Sequence, residues 1–158
     1  MANTTYNSLL VSQKQPALTE GVARNTIHLH DVVSVPATLA TTDTVAFGYI
    51  PPNAVVTGVI LKAQSQLDSN GAPTLAFNVG VAGTPALFKS AITTVGRVAG
   101  ASFDGSQTLA GAGALYKNVS GLKQLVQAVP SAAAATGVAG VLEIMVAYHV
   151  EEAVGQNP

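Results

Sequence analysis

The sequence predicts an all-β domain, a β-sandwich or jelly-roll-like fold, and three observations lead there. From Thr26 onward, short runs of Val, Ile, Thr, Phe and Tyr alternate with Gly, Pro, Asn and Asp, the residues that form turns. Several of these runs alternate apolar and polar positions with the two-residue period of a strand. The turn signals recur at close intervals, as they do in sandwiches and jelly rolls, and no repeat period emerges. The chain of 158 residues is near the commonest size for one domain. We therefore divide it into an N-terminal arm (1–25), a β domain (26–153) and a short C-terminal tail (154–158).

The arm mixes polar residues with one apolar cluster, Leu9-Leu10-Val11, and carries Lys14, Glu20 and Arg24. Two readings stand for it, a frayed terminus and a docking element. Beyond it, Ile27, Leu29 and Asp31 fall on one face of an extended run, with His28, His30 and Val32 on the other. In Thr44-Val45-Ala46-Phe47-Gly48-Tyr49-Ile50 the residues Val45, Phe47 and Tyr49 share a side, and Pro51-Pro52-Asn53 ends the strand. Residues 54–67 form a long strand-like stretch. Asp68-Ser69-Asn70-Gly71 contains an Asn-Gly pair suited to positive φ, so it predicts a hairpin leading into residues 74–81.

Thr84-Pro85 has the form of a capping hydroxyl followed by proline at a first helical position, so residues 84–91 are expected to form a short helix or helical turn. Strands are expected over residues 95–103 and 108–116, turning at Asp104-Gly105. Leu122, Leu125, Val126 and Val129 fit helical spacing too, but their β-rich surroundings favour a strand. The tract Ser131-Ala132-Ala133-Ala134-Ala135-Thr136-Gly137 reads as a loop, with a helical extension as the alternative. The closing element is the clearest: Leu142, Ile144, Val146, Tyr148 and Val150 alternate with Val141, Glu143, Met145, Ala147 and His149, which predicts a strand with one core face.

Composition narrows the function. Charged residues make up only 9% of the chain, where soluble domains carry about a quarter, so much of the surface is expected to lie against copies of itself or a partner. A net charge of −1 offers no electrostatic footprint for nucleic acid or an anionic membrane, and neither is an expected partner. The absence of cysteine excludes disulfides, iron–sulfur centres and thiol nucleophiles. The N-terminal residues do not have the pattern of a secretory signal, and residues 132–150 are interrupted by Gly137, Gly140, Glu143 and His149, too often for a spanning helix.

Catalytic patterns are missing. Neither Asp104-Gly105-Ser106 nor Val119-Ser120-Gly121 is a nucleophile elbow, and the acids are too scattered to pair for glycoside cleavage. The glycines at Gly80, Gly83, Gly111 and Gly113 lack phosphate-loop spacing. The start of a calcium loop at Asp68 lacks its later acidic ligand. His28, His30 and His149 form a conceivable three-imidazole metal site, but exposed strand histidines are the plainer reading, and no metal, cofactor or enzymatic activity is expected. Eight dispersed Tyr and Phe residues without Trp argue against a sugar-stacking platform.

One resemblance adds to this reading. The strings Val45-Ala46-Phe47-Gly48-Tyr49-Ile50-Pro51-Pro52-Asn53-Ala54-Val55-Val56 and Thr74-Leu75-Ala76-Phe77-Asn78-Val79-Gly80-Val81-Ala82-Gly83-Thr84-Pro85-Ala86-Leu87-Phe88 resemble small virion structural proteins of tailed bacteriophages, with weaker likeness over residues 141–151. Pro52-Asn53 stands where those proteins usually have Ala-Gly. The resemblance implies a capsid decoration or cement protein, a homotrimer bound where capsomers meet, with the major capsid protein as partner. Its place would be the capsid surface of the virion, after assembly in the bacterial host cytoplasm. Tyr6, Leu9, Leu10 and Val11 are the residues we expect to touch the capsid or a neighbour. Tail, neck or fibre components and a carbohydrate- or surface-binding β module are the alternative readings.

Overall fold

A computed structural model describes residues 4–8, 26–104 and 115–151, and among these there are nine strands and no helix. They are β1 (Thr5–Asn7), β2 (Ile27–Val35), β3 (Thr44–Ile50), β4 (Ala54–Ala63), β5 (Ala76–Val81), β6 (Thr84–Ile92), β7 (Ser102–Asp104), β8 (Gln124–Ala132) and β9 (Gly140–Val150). The strands make two sheets, one ordered β1-β3-β8-β5-β6 and the other β2-β9-β4-β7. This is the all-β single domain that the strand periodicity predicts.

Setting β1 aside, the pairing is that of an antiparallel ribbon rolled on itself. The first strand of β2–β9 pairs with the last, β3 with β8, β4 with β7 and β5 with β6, all antiparallel. The rolled ribbon closes through β4–β9 and β5–β8. That is jelly-roll topology, in which successive strands alternate between sheets except at the β5–β6 hairpin. The apolar faces enclose one core, with Tyr148, Phe47, Phe77, Ile50, Leu61, Leu75, Leu142 and Ile144 fully buried.

The clearest sequence signals hold. In β9, Leu142, Ile144, Val146 and Tyr148 point into the core, and β2 pairs with it over nine consecutive positions without a bulge. In β3 an extra residue between Ala46 and Tyr49 shifts the alternation, so Ile50 is buried and Tyr49 turns out, where the Lys123 ammonium lies 4.9 Å from its ring centre. The expected Val45, Phe47, Tyr49 face is therefore broken at its third member. β8 is a strand, as its neighbourhood suggested, and the alanine tract continues it to Ala132 before looping.

Two expectations fail, each because tertiary pairing outweighs a local signal, and a third is met only in part. Residues 84–92 form edge strand β6 and not a helix, because Phe88 and Ile92 are buried against the core and the backbone pairs with β5. Pro85 fits there because an edge strand tolerates a missing N–H. The expected hairpin at Asn70-Gly71 is also absent: β4 ends at Ala63 and lies in the other sheet from β5, and residues 64–75 cross between them. Between residues 95 and 103 the only strand is the short β7, while residues 108–114 of the next expected strand, and Gly105 of its turn, lie outside the described residues.

Each end of the sandwich is closed around one fully buried polar side chain. At one end Asp68 accepts N–H groups from Asn70, Thr74 and Leu75 on its own connection and from Ala135 and Thr136 on the β8–β9 connection, at 2.8–3.3 Å. At the other end the Asn118 amide donates to the Pro51 and Leu122 carbonyls and its oxygen accepts from Ser120, tying the β7–β8 connection to the turn after β3. Asn53 holds a left-handed φ of 60° in that turn, a conformation asparagine tolerates well.

Candidate assembly interface

The described part of the expected arm is itself a strand. β1 runs parallel to β3 at the sheet edge, with Tyr6 opposite Val45, and Tyr6 is half-buried against the core. Leu9, Leu10 and Val11 lie outside the described residues. Two buried aspartates bracket the strand. Before it, Asp43 accepts the Thr4 N–H at 3.1 Å and also caps its own turn through the Ala40 N–H at 2.9 Å. After it, the Ser8 N–H donates to the Ala46 carbonyl at 3.1 Å, and the Ser8 hydroxyl donates to Asp31.

Asp31 is the residue that the β2 alternation placed among apolar neighbours, and it does point inward, only 7% exposed. Its Oδ1 accepts the Val32 N–H at 2.9 Å, and the Gly48 N–H of β3 also faces the carboxylate. The side chain thus joins the edges of the two sheets. Burial pushes its pKa above the usual carboxylate range, although the Ser8 hydroxyl, the Val32 N–H and nearby His30 all pull it down. With a folded pKa above the unfolded one, ionised Asp31 opposes folding, and that penalty grows as pH rises from about 3.8 upward. Asp31→Asn is therefore expected to gain stability at pH 7, with the gain shrinking toward pH 4. Urea midpoints at both pH values check this, and a loss of stability at pH 7 would contradict it.

The two outer faces differ in charge. β1, β3, β5 and β8 contain no charged residue, and Lys89 on edge strand β6 is the only charge on the five strands of that sheet. Charge depletion of this kind marks the buried centre of protein interfaces. Sequence reasoning found the low overall charge but not this segregation, which needs the strand order. The second sheet carries all three histidines. His30 pairs with Glu143 at 2.8 Å, and that contact together with Gln64 holds the Glu143 carboxyl below its usual range. His28 lies opposite Ala147 and His149 opposite Val55, and no group of three metal-ligating side chains occurs among the described residues. Beside His28 is an apolar depression of about 100 Å³, lined also by Gly58, Ile60, Met145 and Ala147.

A third surface lies on the β7–β8 connection. Leu115, Val119 and Leu122 are each about 70–80% exposed there, around the rigid Asn118 turn. The one cation between them, Lys117, is paired with Glu151 at 2.8 Å. Exposed apolar side chains on an ordered loop are a common feature of contact surfaces.

No family model and no curated protein matches the chain. Two solved phage capsids contain similar chains. One, in the capsid asymmetric unit of cyanophage Pam1, is 28% identical, with the match covering 85% of this chain and 91% of that one at a TM-score of 0.71. The other, in the capsid of Ralstonia phage GP4, is 21% identical, covers 94% and 99%, and has a TM-score of 0.77, a likeness of fold. Together with the charge-depleted sheet, the Pam1 likeness supports a structural role in a phage virion, associated with the capsid.

Proposed function

We propose that this chain is a non-enzymatic decoration subunit that stabilises a phage head by bridging neighbouring copies of the major capsid protein, acting as a homotrimer on the capsid surface. The observation that carries this reading is the near full-length likeness to a chain of the Pam1 capsid. Supporting it are the five-stranded sheet with a single charged residue and the exposed apolar side chains Leu115, Val119 and Leu122. A subunit that binds only the intact lattice stabilises it by mass action, and a trimer multiplies weak single contacts. Leu9, Leu10 and Val11 are assigned to the capsid or neighbour contact, while Tyr6 anchors the strand from which they continue.

The test is to mix purified protein with undecorated heads. Saturable co-sedimentation and heads that survive a higher temperature are expected. Protein that ignores heads but joins tails would overturn the capsid reading in favour of a tail, neck or fibre component. Replacing Leu9, Leu10 and Val11 together by serine is expected to weaken head binding roughly tenfold, about 1.4 kcal/mol, without moving the unfolding midpoint of the free domain. Unchanged occupancy removes these residues from the contact.

A further inference from the structure

We propose that the edge of β3 is a socket for the N-terminal strand of a second copy, so that residues Thr4–Ser8 are exchanged between subunits of the oligomer. The proposal rests on the self-association named above, and not on the identity of the capsid.

The socket is built independently of its occupant. Asp43 is held in place by the turn it caps at Ala40, and Asp31 by the N–H groups of Val32 and Gly48. What β1 adds is its own donors at the two ends, the Thr4 N–H on Asp43 and the Ser8 hydroxyl on Asp31, with a three-residue ladder and the Tyr6 ring between. A strand so short, parallel to its neighbour and latched at its ends, can leave and be replaced while the eight-stranded roll keeps all of its own pairing. β1 is the only parallel pairing between the named strands.

The connection back into the fold has far more length than a return within one chain needs. Ser8 sits at the level of Asp31, and β2 begins four residues earlier on the same strand, at Ile27, a span of about 13 Å. Residues 9–25 can reach about 55 Å when extended. The contacts between strand and socket are identical whichever copy supplies the strand, so exchange sacrifices none of them. Each copy gives one strand and receives one, a head-to-tail arrangement that closes into a ring. The socket opens on a sheet whose strands β1, β3, β5 and β8 carry no charged residue.

Because the protein has no cysteine, an engineered bond reports the pairing directly. Thr5 and Thr44 are register partners, and adjacent strands about 4.8 Å apart are within disulfide reach. Full-length Thr5→Cys and Thr44→Cys chains are prepared separately, mixed, oxidised and run without reductant, with light scattering on the same sample. The expected result is a covalent dimer carrying one chain of each kind, with the Thr5→Cys/Thr44→Cys double variant giving covalent rings. An oligomer in which the mixed pair never links and the double variant bonds only within one chain overturns the exchange and leaves self-association standing. A monomeric mass overturns both. Melting curves of the reduced variants matching the unsubstituted protein confirm that the substitutions keep the fold.

Discussion

Asp68→Ala is expected to lower stability by roughly 3–5 kcal/mol, a shift of about 10 °C or more in Tm for a domain of this size. Five backbone N–H groups at 2.8–3.3 Å converge on this carboxylate, which is fully buried. Without it those donors would be left without an acceptor where water has little access, and a buried donor left unmade costs more than the bond itself contributes. Asp68→Asn keeps one oxygen but turns an NH₂ donor toward N–H donors, so it should recover little of the loss. Urea unfolding with an unchanged slope and a lower midpoint measures the effect. A change below about 1 kcal/mol would show that the two connections do not depend on this residue.

The same carboxylate sets an acid limit. Burial by itself would raise its pKa, but the N–H groups of Thr136, Leu75, Ala135 and Thr74 outweigh burial and hold it far below the ordinary 3.8. A folded pKa below the unfolded one means that the stabilisation is complete above the ordinary value and is lost as pH falls below it. The unsubstituted domain should therefore weaken steeply below about pH 4, and Asp68→Asn should flatten that slope. Asp31 has the opposite sign, so its own replacement cannot mimic this flattening.

Gly80→Ala is the second large effect, expected to cost about 3 kcal/mol or more. β6 does not follow β5 in simple register: Val79 faces Lys89 while Val81 faces Thr84, and the intervening residues bulge across Gly80. A methyl group there would meet the Thr84 carbonyl oxygen, the Leu87 nitrogen and the Pro85 carbonyl carbon, all backbone atoms that no rotamer change can move. The expected outcome is a lower melting temperature with loss of β6 protection in hydrogen exchange. Gly71→Ala, where a methyl group meets nothing, is the control and should cost far less. Equal melting temperatures for the two variants would refute the close-packing account.

Legibility in the sequence followed how local the determining interaction is. The alternation in β9 and β2 was readable because one face of each strand is buried along its length, and burial repeats with the strand period. The same alternation placed Asp31 inward, although only the fold supplies Ser8 and Gly48 as its partners. Thr84-Pro85 misled because a helix start signal is worth about a kilocalorie and the burial of Phe88 and Ile92 is worth more. Asn70-Gly71 misled because Asp68, beside it in sequence, takes donors from a connection 67 residues away.

The sequence by itself determined an all-β chain poor in charge and with no catalytic pattern, because composition and two-residue periodicity are properties of the local chain. Only the tertiary structure decided the jelly-roll order, the charge-poor sheet set against the histidine-bearing one, and the parallel pairing of β1 on the edge of β3. Each of these depends on which distant strands lie side by side, and that choice is made by burying all the apolar faces in one core at once.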